Sequence, residues 1–413
     1  MNKSRRAILN ASLVGAFATG MHAARVNAEG FDPAPTKDGK IGTLGAIDVT
    51  DYGVIGDGLA DDSAAIARAC LFAIAQFRRG IRCYLQFPSG RFLLKGTKIP
   101  MFVEAPVGIR GRGEQQTTFI IDPEYQGDVF SWSNCWQESS YQKTRLGKSF
   151  SAGAFIENVG FLGNLERTGT VNALGFYDIN DNVEVSNVEF DYILGRAIYV
   201  GGVTGGNGFG IMRESRFNEL RIFHSGTPDH PCIEIGSSGA SDGTNELIFS
   251  QIDIFAPGGH GMVIRNGGTQ PVRLIKIFGL RIEKFLSGFN GLQIGDERFN
   301  GKIYGVNAIG LELLTGQAGS TAIAIVGSYD HQVETCFFQG QIINCYGNGI
   351  HVNTGCGNRV ELMRNAAREI GVLVEKTRFP VYYFCPIKTT VSVAPGCSLL
   401  VPSYVQYHEL SSN

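Results

Sequence analysis

The sequence predicts an all-β solenoid: a coil of short parallel strands, one turn per repeat, preceded by a single helix. Three observations carry this. Glycine supplies 55 of 413 residues, nearly twice the ~7% of average proteins. It has no triplet period, so collagen is excluded, and its spread among Val, Ile and Phe means many tight turns between many short strands. From about residue 150 one short phrase keeps returning: FIENVGF (155–161), VSNVEF (185–190), FNELRI (217–222), FSQIDI (249–254), IFGLRI (277–282) and NAIGLEL (307–313). Between these lie brief apolar strands whose first inward residues are Ile198, Ile233, Met262, Leu292, Ile323, Ile350 and Val372, at intervals of 35, 29, 30, 31, 27 and 22. A helical repeat would need apolar 3.6 spacing over ten residues, and a leucine-rich repeat its Leu/Asn consensus; neither is present. Stacked parallel strands satisfy the pattern, each rung adding ~4.8 Å.

Composition narrows the class. Apolar residues make up 43%, aromatics 10% and charged residues 18%, the last below the ~25% of average domains. Global disorder is therefore excluded. Lys and Arg number 36 against 38 Asp and Glu, a net charge of −2, which argues against a dedicated nucleic-acid binder.

The first 28 residues read as a signal peptide. Lys3, Arg5 and Arg6 form a positive start, Ala11 to Met21 is mildly apolar, and Val26-Asn27-Ala28 offers a cleavage site. The segment is far shorter than the ~20 residues a membrane span needs. Ser4-Arg5-Arg6-Ala7-Ile8-Leu9 resembles the twin-arginine export motif, with Ile8 and Asn10 where Phe and Lys are more usual. An ordinary signal carrying Arg-Arg is the alternative. Either route predicts a periplasmic or secreted protein beginning near Glu29, with no membrane anchor.

Residues 29–45 read as a linker, and 46–413 as one β-helix domain: signature and cap over 46–123, repeated rungs over 150–376, C-terminal cap over 377–413. Ile66, Ala69, Cys70, Ala73, Ile74 and Phe77 have helical spacing, with Asp61 or Asp62 as N-cap and Gly80 as the stop. CYLQFPSGRFLL reads as strand, turn, strand. Asn158, Asn187, Asn218 and Asn307, with Gln251, sit at corresponding turns and are expected to hydrogen-bond from rung to rung. The nine cysteines show no metal-like spacing. Cys232 reads as core, and a Cys70–Cys83 bridge is open to the chain after export.

Val49-Thr50-Asp51-Tyr52-Gly53-Val54-Ile55-Gly56-Asp57-Gly58, then Asp61-Asp62-Ser63-Ala64-Ala65-Ile66, then Phe87-Pro88-Ser89-Gly90, resembles the N-terminal signature of the pectate-lyase superfamily. That group includes polygalacturonase, rhamnogalacturonase, epimerase-like proteins and phage tailspikes. The resemblance covers roughly residues 47–123. It implies a right-handed parallel β-helix closed by the N-terminal helix, with long polysaccharides bound along the outside of one sheet. Asp57, Asp61 and Asp62 read as turn and cap residues rather than catalytic groups or Ca²⁺ ligands, and no cofactor or metal is expected. Tailspike relatives are trimers, so a homotrimer is the assembly the resemblance suggests; the C-terminal strands could equally just cap the stack.

The strand register then nominates a site. With Ile233 and Ile235 inward, Glu234 must point outward. The same register places Tyr199, Val263, Gln293, Ala324, His351 and Leu373 on that face. Turn residues Asp229, His230, His260, Arg265, Asp296 and Arg298 line the same groove, and GGVTGGNGFG (201–210) could form a lip. Thr227-Pro228-Asp229-His230-Pro231-Cys232-Ile233-Glu234-Ile235 resembles the polygalacturonase Asp-Asp-Cys strand, interrupted by His230 and Pro231. Gly259-His260-Gly261 resembles that family's Gly-His-Gly, and Arg281-Ile282-Glu283 its Arg-Ile-Lys. The adjacent carboxylate pair is missing. Inverting hydrolysis wants carboxyls ~6.5–9.5 Å apart, whereas Glu234 and Asp296 are two rungs, ~9.6 Å, apart and offset along the strand.

Elimination needs a base and a cation beside the uronate carboxylate, for which His260 or His230 and Arg265 are candidates. Arg265, Arg273, Lys276, Arg281, Lys284, Arg298 and Lys302 give a local basic excess suited to an acidic glycan, or simply a solvated face. The sequence therefore predicts an exported enzyme cleaving a polysaccharide, acidic in one reading. Its catalytic candidates are Glu234, Asp229, His260 and Arg265; its substrate-binding candidates are Tyr199, His230, Gln293, Asp296, Arg298 and His351. A non-catalytic glycan-binding or surface-assembly protein and a uronate epimerase are the alternatives.

Overall fold

A computed structural model describes residues 45–135, 153–166, 169–201, 210–236, 243–377, 379–386, 389–401 and 407–409. These fall in one compact unit, Gly39–Asn413. The signal segment, nearly all of the linker, and residues 202–209 of the proposed lip lie outside the described residues.

The coil is a right-handed parallel β-helix. Among the described residues every strand pairing is parallel, in sheets of 16, 13 and 3 strands. The 13-stranded sheet, sheet B, holds the predicted column. Ile198 pairs with Ile233, then Met262, Leu292, Ile323, Ile350 and Val372, and all seven are fully buried. Two residues on, Val200, Ile235, Ile264, Ile294, Ile325, Val352 and Val374 form a second buried column. Each such side chain contributes ~1.5–3 kcal/mol by leaving water. None could do so on an isolated coil, because its cover is the rung above and the rung below.

The 16-stranded sheet A carries the repeated phrases as strands such as Glu184–Asp191, Arg216–Phe223 and Ile248–Phe255. Each bends once. Asn158, Asn187, Glu219, Gln251, Gly279 and Gly310 stand in register at the bend, all with positive φ. Two further corners are built alike: Asn182, Glu214, Glu246, Leu274, Gly305 and Thr335 before sheet A, and Tyr192, His224, Ala256, Lys284, Thr315 and Asn344 after it. The left-handed conformation costs a non-glycine residue ~1–2 kcal/mol. At the two corners flanking sheet A the corner amides then bond the next rung, as His224 N–H does to Phe255 O at 2.9 Å and Glu214 N–H to Asn245 O at 3.1 Å.

The expected amide ladder is therefore shorter than the sequence suggests. Asn187 Nδ2 donates to Asn158 Oδ1 at 2.7 Å, but Asn218 sits one residue before the bend and Asn307 opens its strand. Asn218 Oδ1 instead accepts from Ser250 Oγ at 2.7 Å.

Helix α1 (Ser63–Arg78) packs Ile66, Ala69, Cys70, Ala73, Ile74 and Phe77 inward. Its first turn is capped by Asp61, whose Oδ1 accepts Ser63 N–H at 3.0 Å. Asp62 turns away to accept Ile55 N–H and Gly56 N–H at 2.7 and 3.0 Å. Asp57 closes its own turn on Leu59 and Ala60 N–H. Tyr84–Gln86 and Gly90–Leu94 do not pair with each other; each joins other rungs in parallel. Cys70 and Cys83 are free thiols, as are the other seven cysteines, and Cys83 Sγ lies 3.5 Å from Ala73 O.

Sheet A's outer face carries a polar column of its own: Glu189, Arg221, Asp253, Arg281, Glu312 and Gln341. Opposite charges meet on successive rungs, Arg281 lying 3.6 Å from Asp253 and 4.0 Å from Glu312. Such exposed pairs are each worth ~0–1 kcal/mol, but the alternation keeps like charges from facing one another.

The corners offer a direct test. Thr335 is exposed, β-branched and held at φ 49°. Thr335→Asn should raise unfolding stability by about 1 kcal/mol, since Asn tolerates this conformation far better. A lower midpoint in urea would show that the corner is not strained.

Candidate active site

Sheet B's outer face is built from two outward positions per rung and the residue two places before each first inward residue. The first outward column is Gly175, Tyr199, Glu234, Val263, Gln293, Ala324, His351 and Leu373. The second includes Tyr177, Gly201, Arg265 and Gly295. The preceding column is Asp128, Asn172, Arg196, Pro231, His260 and Asn290.

Glu234 faces out of the sheet but is fully buried. Its Oε2 accepts Arg196 Nε–H and its Oε1 accepts Arg265 Nη2–H, so two guanidiniums cover it. Arg265 Nη1 reaches Asp296 Oδ2 at 3.6 Å, which makes Arg265 the link between the two carboxylates. Asp296 also takes Arg298 Nε–H at 3.0 Å and Nη2–H at 2.6 Å. Burial pushes Asp296 up, but the Arg298 hydrogen bonds outweigh it and hold the carboxyl below its ordinary value. Phe299 backs the pair, its ring 5.2 Å from the Arg265 Cζ.

The chain continues in the other direction. Arg196 lies over Tyr199, 4.3 Å from the ring centre. Asn172 Oδ1 accepts Arg196 N–H at 3.2 Å and Nη1–H at 3.5 Å, while its Nδ2 donates to Asp128 Oδ1 at 3.0 Å. Tyr177 O–H donates to Asp128 Oδ2. Gly175 makes this possible: a Cβ there would lie 2.6 Å from the Tyr177 ring and 2.7 Å from Asp128 Oδ2. Burial raises the Asp128 carboxyl, and it raises the Tyr177 and Tyr199 hydroxyls above the usual phenol range.

The two predicted histidines differ. His260 Nδ1 accepts Asn290 N–H at 2.9 Å, so the neutral ring carries its proton on Nε2. Burial lowers its value to about 4. Asn290 Nδ2 in turn holds Gln293 Oε1 at 2.8 Å. His230 closes a tight turn with Thr227 through bonds of 2.8 and 3.0 Å. Its Nδ1 is buried with no hydrogen-bond partner. Burial lowers its value, and the Arg196 charge lowers it further, against the pull of Glu234 and Asp229.

The structure thus gathers Tyr199, His230, Glu234, His260, Arg265, Gln293, Asp296 and Arg298. Asp229 stands at the exposed tip of the Thr227–His230 turn. His351 lies two rungs beyond Gln293 and pairs with Glu375 at 3.2 Å. Asp128, Asn172, Tyr177 and Arg196 were not expected. Arg196 stands at the same offset before its strand as His260 does, and that offset was the signal available for it. Among the described residues, no three His, Cys, Asp or Glu side chains gather as a metal site.

His260 generates a pH test. The unfolded chain binds its proton near pH 6.5 and the folded chain only near 4, so acidification across that window should remove roughly 3 kcal/mol of stability. His260→Asn, which keeps an acceptor for Asn290, should flatten that part of the stability–pH curve. Parallel curves for the two proteins would refute the assignment.

No protein-family model matches the chain, and no curated protein matches it. Among solved structures, the A-module of the mannuronan C-5 epimerase AlgE6 of Azotobacter vinelandii superposes with a TM-score of 0.55 at 14% identity, over 87% of this chain and 99% of that one. The AlgE4 A-module from the same organism gives 0.45 at 14% identity, over 89% and 100%. The catalytic unit of a GH87 α-1,3-glucanase from Streptomyces thermodiastaticus gives 0.45 at 12% identity, over 88% and 67%. At these identities the likeness is one of fold, and the fold is the parallel β-helix that the N-terminal signature implied.

Proposed function

We propose that this protein acts on a uronate-containing polysaccharide laid across the outer face of sheet B, by removing the proton beside the sugar carboxyl. One observation carries the reading: a half-buried imidazole, His230, stands among the charges of Arg196, Arg265, Glu234 and Asp229. His230 is kept uncharged by its surroundings and serves as the base. Arg196, Arg265 and Arg298 set three guanidiniums on this face, and Arg298, whose side chain is 72% exposed, attracts the sugar carboxylate and stabilises the charge that develops on it. Glu234 has both oxygens engaged by guanidiniums, so we assign it the positioning of Arg196 and Arg265 rather than proton transfer. His260, a donor at Nε2, hydrogen-bonds an oxygen of the sugar. Tyr199 supports the bound chain.

With the C5 proton on His230, the electron pair either forms a C4–C5 double bond as the C4–O bond breaks and the leaving oxygen takes a proton from water, or takes a proton from water on the opposite face of C5. The first outcome is lyase chemistry and the second epimerisation. The fold shared with an epimerase A-module is compatible with both. Hydrolysis is less well supported, because Glu234 is sealed and Asp229 stands apart on its turn. Export to the periplasm or beyond through the N-terminal leader belongs to the same proposal. Protein recovered from the periplasm should begin near Glu29, and recovery of uncleaved chain from the cytoplasm alone would refute that part.

The central test incubates the protein with polygalacturonate, alginate and a neutral glucan in deuterated water. Deuterium at C5 or absorbance from an unsaturated uronate is expected with a polyuronate only. His230→Ala should lower the rate by about 100-fold or more with an unchanged circular dichroism spectrum. New reducing ends from the neutral glucan, or full activity in His230→Ala, would overturn the reading. Polymer retention without any chemical change would leave a binding protein.

A further inference from the structure

The corner column after sheet A departs from the other two in one respect: it opens with two aromatic residues. Tyr192 and His224 occupy successive rungs with their rings stacked, centroids 4.8 Å apart and planes within 13°. His224 meets Phe255 of the next rung edge-on at 5.7 Å, and Lys284 of the rung after that lies 4.5 Å over the Phe255 ring. Asp191 Oδ1 lies 3.1 Å from His224 Nδ1. Four consecutive rungs are involved, a run of about 14 Å at the strand spacing.

Interior stacks such as Phe161–Phe190 are closed to water. This one is on the surface: Tyr192 and Phe255 are half-buried, the His224 side chain is 39% exposed and Lys284 is exposed. Both Tyr192 and His224 hold positive φ, 53° and 47°, where Asn or Gly would cost less. Large rings are thus kept where the backbone disfavours them.

The turns leaving this column are the ones that carry Arg196, His230 and His260 to the edge of sheet B. The platform therefore adjoins the edge of sheet B's outer face that carries these three residues. Its chemistry suits a sugar chain: ring faces for the C–H face of a pyranose, and an ammonium and a His–Asp pair for hydroxyls and carboxylates. The rung spacing is close to the length of one sugar unit.

We propose that Tyr192, His224, Phe255 and Lys284 form an accessory subsite that holds an acidic polysaccharide outside the reacting trough. The inference rests on the polysaccharide reading of sheet B, but it predicts binding rather than turnover. The experiment is affinity electrophoresis of the full chain in gels containing polygalacturonate, alginate or hydroxyethylcellulose. The variants are Tyr192→Asn with His224→Asn, and Lys284→Gln. Asn is favoured at both corners, so the double variant should unfold no earlier than the parent, which separates lost binding from lost folding.

Its affinity for a polyuronate should fall about tenfold, the loss expected from two ring contacts, while turnover of short oligouronates is unchanged. Lys284→Gln should weaken polyuronate binding and leave the neutral polymer unaffected. Unchanged retardation of the double variant in every gel would overturn the subsite, whatever His230→Ala does. Absence of any retardation of the parent protein would overturn it as well. Binding lost in the double variant, in a parent protein that shows no turnover, would support the subsite and count against the proposed chemistry.

Discussion

Everything in this molecule depends on one repeated contact: an apolar side chain on one rung covering its counterpart on the next. Ile198, Ile233, Met262, Leu292, Ile323, Ile350 and Val372 form one unbroken file. The file fixes which residues of each strand face outward, because side chains alternate. Turn lengths then matter little. The repeat shrinks from 35 to 22 residues along the chain, yet the register never slips in sheet B between Ile198 and Val374. The differences are absorbed in the connections, and those connections bring His230, His260 and Arg196 to the edge of the sheet.

On that frame lies a polar chain that folding alone does not require. From Asp128 through Asn172, Arg196, Glu234 and Arg265 to Asp296 and Arg298, each group is hydrogen-bonded or ion-paired to the next. Burying charge is costly, and well-packed apolar residues of similar volume often do as well or better for stability. A fully buried Glu234 held by two guanidiniums is therefore better understood as a device for fixing cations in place. It holds Arg196 and Arg265 at set points on the face, where Gly175 and Gly201 yield their side-chain space to the Tyr177 and Tyr199 rings.

How much of this was legible beforehand follows from the physics of each part. The inward file was legible because short apolar strands recurring every thirty or so positions, with no helical spacing between them, bury their side chains only by stacking. The outward direction of Glu234 followed from it. Its burial did not, since the residues that cover it, Arg196 and Arg265, stand 38 and 31 positions away. Arg196 and Asp128 lay on rungs that precede the group of turns singled out as the groove. The corner columns were obscured because left-handed backbone is held there by Asn, Glu, Gln, Leu, Thr, Tyr, His and Lys as well as Gly. Rung-to-rung hydrogen bonding, more than residue type, keeps those corners folded, so only the Asn158–Asn187 step of the expected ladder was readable as a contact.

The free cysteines carry one more consequence. Burial raises the thiols of Cys70, Cys83, Cys135, Cys232, Cys336 and Cys345 above their ordinary range, and the thiolate is the form that attacks disulfides and oxidants. Once the coil has closed, these six sulfurs are insulated from the redox poise of whatever compartment surrounds them. The folded scaffold can then keep these six sulfurs in the same covalent state in a reducing interior and in an oxidising exterior.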